Sequence, residues 1–512
     1  MINGVRIDKE FNTEQAGRIS TTFLNDLVSA HMRKIAPKYK KYQKLYENKH
    51  KILTRPKKDD NKPNNKISND FFGQIIDNTV GYFLGNPIIL NYTEPKKEKS
   101  LVEVEPVDVG VDLEQIEDTV VQDAIDRIFA DNEKDDLFIE WGKEAMIKGL
   151  SHILIYQNEH SKTKFMRLHP EDVILVYKNS STKELQYAIR LYDIDTEDTD
   201  ITTHYAEVYD ATGYDVFKCV EGGTATVSNR ANGGYTFVER QPHIYGMIPI
   251  VTWYNNEERM SDLERVETLV NDYDKVLSDV SNEFEAFRNA YLMLKNMVVD
   301  KDNLNKLKTE GILEVMENGD VKFVTKQIQT EALENHLNRL KESIYTFSQV
   351  PNLSDESFAG NLSGVAIRFK LFGLETKCII KEQKGKTAIR NLFRVISAPI
   401  RVLTGHNPDV LNLDIEFTRN VPNNITELVD TVTKLEGKVD KETLLALLPF
   451  IDKPKDVLEK LKMDIEAEKK SSDPYSPTNV VADSTNLFPN LNAQTVSQSL
   501  FNSAEGNTTL TE

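Results

Sequence analysis

Apolar residues recur at alternating spacings of three and four across residues 263–291, and this is the most regular pattern in the chain. Such spacing places them on one stripe of a long helix. Ser261, followed three places later by Glu264, forms a capping-box pattern just ahead of the stripe. The stripe consists of Leu263, Val266, Val270, Tyr273, Leu277, Val280, Phe284, Phe287 and Tyr291, and the polar positions include Glu264, Glu267, Asp272, Asp274, Asp279, Glu283 and Glu285. The sequence therefore predicts a long amphipathic helix whose polar face is mostly acidic.

A hairpin and a second helix follow the first helix. Residues 312–316 and 321–324 are strand-like and flank Asn318-Gly319, a pair that supplies the positive φ angles of a tight turn. Apolar residues then return at fours and threes until Pro351, which ends the helix. They are Leu333, Leu337, Leu340, Ile344 and Phe347. Two helices of matching period can bury their stripes against each other, so we expect a helical hairpin.

The segment after the second helix has the composition of an exposed, mobile loop. Residues 352–364 are rich in Asn, Ser, Asp and Gly. Another helical run begins near Val365. Periodicity alone also fits a helical hairpin packed inside an ordinary core.

Length and composition narrow the classes of protein. A chain of 512 residues is long enough for roughly three domains. Its apolar runs, such as residues 444–451, are far shorter than the roughly 20 residues of a membrane-spanning helix, and the N-terminus lacks a signal-peptide layout. Two cysteines, Cys219 and Cys378, indicate a reducing compartment. The formal net charge of -18 argues against a protein that grips nucleic acid over most of its surface, but not against one that lets DNA slide past.

The charge changes sign between residues 33 and 66, where cations are interleaved with tyrosines. The segment contains Arg33, Lys34, Lys38, Lys40, Lys41, Lys44, Lys49, Lys51, Arg55, Lys57, Lys58, Lys62 and Lys66, with Tyr39, Tyr42 and Tyr46. This composition is typical of a patch that faces nucleic acid. The alternative, which the composition favours slightly, is a solvated helix with its tyrosines on the core side.

The remaining patterns indicate an α+β fold. Helices are predicted near residues 67–84 and 125–149, and again at 425–468. Strands are predicted at 88–92, 153–156, 165–168, 173–177, 187–192, 205–209 and 235–238, with 411–417 as a possible addition to the same antiparallel region. Residues 94–118 have the charge of a surface insertion, and the chain beyond Lys470 has the composition of a disordered tail.

Sequence signatures of catalysis are missing. The nearest approach to a phosphate loop is Gly385-Lys386-Thr387, but Ile380 occupies the place of the first glycine and the preceding residues have a helical pattern. The nine histidines are scattered. The sequence therefore predicts no catalytic residue, no metal site and no cofactor.

Several short motifs occur in a fixed order over roughly residues 40–400. They are Tyr46-x-x-x-His50-x-Ile52, Asn65-Lys66-Ile67, Gly81-Tyr82-Phe83-Leu84-Gly85-x-Pro87, Lys148-Gly149, Pro249-Ile250, Asn255-Asn256-Glu257-Glu258-Arg259-x-Ser261-Asp262 and Phe358-x-Gly360-Asn361-x-Ser363-Gly364-Val365-Ala366. In this order they resemble the portal (head-to-tail connector) proteins of long-tailed bacteriophages, of the type found in Bacillus phage SPP1 and in staphylococcal siphophages.

The resemblance implies a portal fold and a ring of about twelve copies at one capsid vertex, through which double-stranded DNA is packaged and later ejected. It assigns residues 1–31 to an N-terminal arm, 32–254 and 366–421 to an α+β wing, 255–295 to a stem helix, 296–330 to a small α/β clip, 331–350 to a stem return helix, 351–365 to a tunnel loop, 422–470 to a helical crown and 471–512 to a disordered tail.

The resemblance also implies roles for particular residues. The expected tunnel-loop residues in the DNA channel are Asn352, Ser354, Gly360, Asn361, Ser363 and Gly364; the expected acidic stem lining is Glu264, Glu267, Asp274, Asp279 and Glu283; the expected clip residues for motor docking are Glu314, Glu317, Asn318, Gly319 and Lys322. The implied partners are other copies of the chain, the terminase large subunit, the head-tail adaptor, and the major capsid and scaffolding proteins. The implied locations are the portal vertex of the virion and, during assembly, the host cytoplasm, with no membrane.

Two other classes of protein remain open on the residues alone. The helical periodicity favours a structural coiled-coil scaffold, although the strand-rich region before it does not. The basic, tyrosine-rich segment favours a DNA-binding enzyme or an accessory subunit of a motor, although a nucleotide site is missing. Electron micrographs of the purified protein would distinguish rings, rods and compact particles.

Overall fold

The computed structural model describes residues 5–6, 18–57, 59, 62–93, 120–178, 184–196, 201–220, 234–287, 291–295, 320–324, 330–353, 364–420, 432–446, 448, 451, 457–458 and 460–463. The helices are α1 (Thr21–Lys34), α2 (Ala36–Tyr46), α3 (Phe71–Leu84), α4 (Val120–Ala130), α5 (Lys134–Lys148), α6 (Glu267–Phe287), α7 (Thr330–Ser348), α8 (Gly364–Thr404) and α9 (Lys441–Ala446). The strands are β1 (Val5–Arg6), β2 (Ile89–Tyr92), β3 (Leu150–Gln157), β4 (Thr163–Leu168), β5 (Val173–Tyr177), β6 (Leu185–Thr196), β7 (Ile201–Tyr209), β8 (Gly213–Val220), β9 (Thr236–Pro242), β10 (Ile250–Tyr254), β11 (Tyr291–Lys295), β12 (Asp320–Val324) and β13 (Leu413–Glu416). This mixture of elements confirms the predicted α+β class.

Most strands belong to two sheets. The larger sheet has the order β1-β5-β6-β7-β8-β9 and is antiparallel except for the β1–β5 pair. The smaller sheet has the order β10-β3-β4 and places Trp253 opposite Ser151. The sequence analysis missed β8 and β10. The strand expected at residues 411–417 is β13, but it pairs with β2 in a separate two-stranded sheet and does not join the larger one.

Helix boundaries follow from local hydrogen bonds. Ser20 accepts a hydrogen bond from the Phe23 N–H at 3.3 Å and starts α1, and Asp70 accepts one from the Gly73 N–H at 3.0 Å and starts α3. Gly149 ends α5 with a φ of 94°, a left-handed conformation that favours glycine. The chain can therefore pass directly from α5 into β3.

The main core joins α8 to the smaller sheet. Trp141 and Trp253 are buried, with their ring centroids 5.1 Å apart. Gly385 lies in the middle of α8, where an added Cβ would come within 2.6 Å of Cζ2 of Trp253. The helical setting of Gly385 agrees with the sequence argument against a phosphate loop, because a helix interior cannot form the backbone cradle of that motif.

The first predicted helix starts later and ends earlier than its apolar pattern. Ser261 does not form the expected capping box; its Oγ accepts a hydrogen bond from the Leu263 N–H at 3.1 Å, inside a run of turns that precedes α6. Hydrogen bonds between residues three apart close these turns, from the Glu264 N–H to the Ser261 carbonyl and from the Val266 N–H to the Leu263 carbonyl, each at 3.3 Å. At the other end, Tyr291 belongs to β11. Residues 255–295 are thus not one helix. An irregular segment at 255–266, which we call the elbow, is followed by α6 and then by β11.

The strand β12 has a partner that was not predicted from the sequence. β12 pairs antiparallel with β11, and Lys322 lies opposite Met293. Asp320, expected to follow the turn, is the first residue of β12. Residues 312–316 and the turn residues 317–319 lie outside the described part of the chain.

The chain divides into two units, Met1–Val421 and Pro422–Glu512. In the second unit, Val432, Leu444, Leu445 and Leu448 form a small core. Asp440 accepts a hydrogen bond from the Thr443 N–H at 2.9 Å and so caps α9. The helical prediction for residues 425–468 agrees with α9 and with the helical residues 432–435; several other positions in that range are not described.

Candidate functional site

Helices α6 and α7 form a pair that is buried at one end and exposed at the other. Val266, just before α6, and Val270 are fully buried, whereas Phe284 near the end of α6 is 54% exposed. In α7 the order is reversed, because most residues of 330–336 are exposed and Ile344 is fully buried. The exposed ends lead into β11 and β12, which pair with each other. The pair therefore projects from the core as an antiparallel hairpin.

The polar face of α6 is covered by residues 38–69, which we call the basic strap. Its cations pair in register with the acids of the α6 region. The contacts are Lys38 to Glu264 at 3.2 Å, Lys41 to Glu267 at 2.6 Å, Arg55 to Asp279 at 2.6 Å, and the Asn65 side chain to Glu285 at 2.8 Å. The chain then returns along the helix, where the Ile67 N–H donates to Ser278 Oγ at 3.0 Å. Three cations of the basic segment, Lys38, Lys41 and Arg55, therefore form ion pairs within this chain.

The centre of the strap is a buried hydrogen-bond network on Asp274. One carboxylate oxygen accepts from Nδ1 of His50 at 2.5 Å, and both side chains are fully buried. The other oxygen accepts from the backbone N–H and from the side-chain amide of Asn69, at 2.9 and 2.8 Å. A buried carboxylate that accepts three hydrogen bonds fixes its surroundings, because removing it leaves donors without partners.

These contacts change the expected acidic lining. A lining role for Asp274 is wrong, because its carboxylate is enclosed between α6 and the strap. Glu264 and Glu267 are paired with lysines, and Asp279, although half exposed, is paired with Arg55. Glu283 is partly buried. The negative charge at the paired positions is therefore largely compensated within one chain.

Two parts of the sequence pointed to this network, but their charge patterns were not compared with each other. The basic run at residues 33–66 and the acidic helix at 264–285 have opposite charge and similar spacing. From the sequence, His50 and Asn65 were only parts of motifs, Arg55 was only one cation of the basic run, and Asn69 had no expected role. Contacts between residues more than 200 positions apart cannot be deduced from periodicity, which reports only on local structure.

A second buried network connects the elbow before α6 to α8. Asp262 pairs with Lys377 and Lys381, each at 2.9 Å, and Lys381 also donates to the side chain of Asn255. Burial alone would raise the pKa of Asp262, but the two lysine charges and the hydrogen bonds outweigh it and hold that pKa well below its usual range. Burial lowers the pKa of Lys381 against the opposing effect of Asp262. Lys377 further donates to the Ser348 carbonyl at 3.3 Å, so the end of α7 is held at the same junction.

The expected tunnel-loop and clip residues are mostly outside the described ranges. Asn352 lies just after α7 and is partly buried. Gly364 is the first residue of α8, so it belongs to a helix end and not to a loop centre. Lys322 lies in β12. The others, Ser354, Gly360, Asn361, Ser363, Glu314, Glu317, Asn318 and Gly319, fall on residues that are not described.

No group of three or more His, Cys, Asp or Glu residues among the described residues has the arrangement of a metal site. No helix in the described ranges has both the length and the apolar character needed to span a membrane. The organised features of this part of the chain are the projecting hairpin, the strap and the junction at Asp262.

Comparison with known proteins identifies the class of protein that these features belong to. Residues 25–471 match the profile of the family described as Phage portal protein, SPP1 Gp6-like. Because this match spans most of the chain, the chain belongs to the SPP1-type family of phage portal proteins, as the resemblance indicated.

Two curated relatives agree with this assignment. The portal protein of Bacillus phage SPP1 is 25% identical over 425 residues, which are 80% of this chain and 77% of that protein. The portal protein of Clostridium phage phiCD119 is 27% identical over 329 residues, which are 61% of this chain and 69% of that protein. The chain therefore has the capsid portal role in DNA packaging and head-tail connection, as a structural component of the virion that acts as a homo-oligomeric ring.

Proposed function

We propose that about twelve copies of this chain form the ring, and that the α6–α7 hairpin of each copy is the stem that surrounds the DNA channel. The supporting observation is the exposure gradient along both helices, from fully buried Val270 and Ile344 to half-exposed Phe284. A helix pair that projects from a core needs neighbours to cover its apolar stripe, and adjacent stems in a ring supply them. The domain boundaries expected from the resemblance are kept, except that the stem helix is α6 itself, Glu267–Phe287.

The basic strap gives the stem a different electrostatic character from a bare acidic helix. Strong positive charge on a channel wall would hold phosphate at favoured sites and slow the passage of DNA. Glu264, just before α6, and two acids of α6 pair with the strap cations Lys38, Lys41 and Arg55, so these cations are less available to grip DNA. We infer that compensation of charge within each chain, and not a surplus of acid, keeps the channel wall weakly interacting.

Residues 296–330 are kept as the proposed clip, and β11, which pairs with β12, is added to it. The two strands follow the exposed ends of α6 and α7, and we propose that the terminase large subunit docks at the clip during packaging and the head-tail adaptor afterwards. The ring itself supplies no ATP turnover in this proposal, because the motor is a separate protein. The assembling ring would meet the major capsid and scaffolding proteins in the host cytoplasm.

Replacement of Gly319 tests the docking role. The predicted Asn318-Gly319 turn needs positive φ, and Val at position 319 would strain it by roughly 1–2 kcal/mol. We expect Gly319→Val rings to form normally and to support little DNA packaging. The measurements are electron microscopy of purified rings and the yield of packaged DNA in an assay with the terminase.

A matched control is Gly405→Val. Gly405 has a φ of 76° in the loop after α8, with nothing within 4 Å of an added Cβ, so the substitution applies similar backbone strain far from the clip in sequence. Normal packaging by Gly405→Val rings together with failure by Gly319→Val rings would support docking at the clip. Normal packaging by Gly319→Val rings would refute it, and purified protein that never forms rings would refute the proposed ring.

A further inference from the structure

The most prominent apolar surface of the described chain lies on the first half of α8. Phe369 is 78% exposed, Phe372 is 68% exposed, and Val365, Ile379 and Ile380 are each about half exposed. With 3.6 residues per turn, these five positions fall on one side of the helix. The opposite side, which includes Leu371, Leu374 and Cys378, is buried in the core. We call the five exposed residues the α8 apolar face.

So much exposed apolar area on one side of a helix is unusual for a surface that stays in contact with water. The two phenylalanine rings alone leave roughly 200–350 Å² of apolar area in contact with water. Contiguous apolar patches of several hundred Å² normally mark interaction sites. Single exposed apolar side chains need no such explanation, but five with helical spacing do.

The face continues onto the end of α7. Phe347 is 57% exposed, and it lines a shallow cavity of about 100 Å³ together with Ile380 and Lys377. The ion pairs of Asp262 with Lys377 and Lys381 hold α8 against the elbow there. These ion pairs therefore fix the position of the helix that carries the apolar face.

We propose that the α8 apolar face packs against a neighbouring copy of this chain. This inference rests on the ring proposed above, and it assigns one of the surfaces through which adjacent copies meet. In a closed ring the contact is heterologous, so the face of one copy meets a different surface of the next.

Charge complementarity favours a second copy as the occupant. Helix α8 contains nine lysine or arginine residues and two glutamates, whereas the whole chain has a formal net charge of -18. Arg368 is exposed between the apolar positions, and Arg390 and Arg394 extend the same side of the helix. On α7, residues 330–338 contain no lysine or arginine, and the exposed Glu331 and Glu334 there offer acidic helical surface of the kind that a basic, apolar helix would meet.

The test compares a double variant of the face with a control of similar chemistry. In Phe369→Ser/Phe372→Ser, two apolar anchors are removed from positions that contribute little to the folded monomer. In the control, Leu411→Ser, an 85% exposed leucine outside α8 is removed. Loss of two buried rings per contact should raise the protein concentration needed for ring formation at least ~10-fold. Sedimentation and electron microscopy measure ring formation, and thermal unfolding at low concentration measures the monomer.

A photoreactive amino acid at position 369 identifies what the face touches. Cross-links between two chains under ring-forming conditions are expected, whereas cross-links only within one chain would show that the face is covered by its own chain. A lowered unfolding temperature of the double-variant monomer would overturn the proposal for the same reason.

The remaining outcomes are also decisive. If parent, control and double variant all form rings at the same concentration, the face is not a contact between copies. If Leu411→Ser is as defective as the double variant, the effect is not specific to the face and the assignment fails. Failure of the parent to form rings would instead refute the ring itself, and the inference with it.

Discussion

At the scale of single residues, the most constrained group in the projecting hairpin is Asp274. Its carboxylate has no exposed surface and accepts hydrogen bonds from His50 and from two groups of Asn69. Water cannot replace this carboxylate when it is removed, since the site is enclosed. Asp279, one turn further along α6, is 52% exposed and makes a 2.6 Å ion pair with Arg55. Two aspartates of α6 thus contact the strap, one with a fully buried side chain and the other with a half-exposed one.

Substitution of these two aspartates should separate buried from exposed contacts. Asp274→Asn places an amide against three donors, and we expect a loss of about 2–4 kcal/mol in the free energy of unfolding. Asp279→Asn should cost less than about 1 kcal/mol, because exposed ion pairs contribute little. Urea unfolding followed by tryptophan fluorescence is suitable, since both tryptophans, Trp141 and Trp253, lie in the core of the first unit. If both variants lost the same free energy of unfolding, burial would not explain the greater importance of Asp274.

At the scale of elements, α8 shows how a single close approach can override helix propensity. A glycine in a helix interior usually costs about 0.5–1 kcal/mol relative to alanine. Gly385 is an exception because the ring of Trp253 occupies the place of its Cβ, whereas the nearest atom to a Cβ at Gly373 is 3.8 Å away. Replacing Gly373 and Gly385 by alanine should therefore change the free energy of unfolding in opposite directions.

Alanine substitutions in α8 test this expectation. Gly373→Ala should stabilise the protein by about 0.5–1 kcal/mol through helix propensity. Gly385→Ala should destabilise it by about 1–3 kcal/mol, because the core must shift to admit the methyl group. Chemical unfolding of both variants and the parent measures the difference. Stabilisation by Gly385→Ala would show that Trp253 moves aside freely, against the packing described here.

The same elements show which structural features can be predicted from sequence. The apolar stripes predicted two long helices, because a helix period is a local property. Helix α6 lies within its stripe, and α7 begins and ends just beyond its own. The start of α6 was misplaced because residues 262–266 form turns closed by hydrogen bonds between residues three apart, a difference that periodicity does not register. The pairing of β12 with β11 was not predicted, because strand pairing depends on contacts that are distant in the sequence. The strap was missed for the same reason: Lys38 and Glu264 are separated by 226 positions.

At the scale of the whole molecule, positive charge is placed at two locations in an acidic chain. One is the strap, where Lys41 and Arg55 pair with acids of α6 and Lys38 pairs with Glu264 just before it. The other is α8, where Lys377, Lys381 and Lys384 pair with the elbow before α6. Both groups of ion pairs therefore help to fix α6 and the segment that leads into it. The loop between α7 and α8 has fixed ends: Lys377 binds the Ser348 carbonyl next to its start, and Gly364 at its end is already helical.

A loop with fixed ends and a glycine-containing middle can follow DNA that moves through a channel. We expect residues 352–363 to do so through neutral hydrogen bonds from asparagine and serine side chains to phosphate oxygens, which are weak and carry no sequence information. Gly360→Pro removes backbone freedom in the middle of the loop, so rings should assemble but stall before the full genome is packaged. Gly364→Ala is the control, because the first turn of α8 accommodates alanine. Packaged DNA length, measured alongside ring assembly, distinguishes the outcomes: full-length DNA at the normal rate with Gly360→Pro would show that the loop is a passive surface turn.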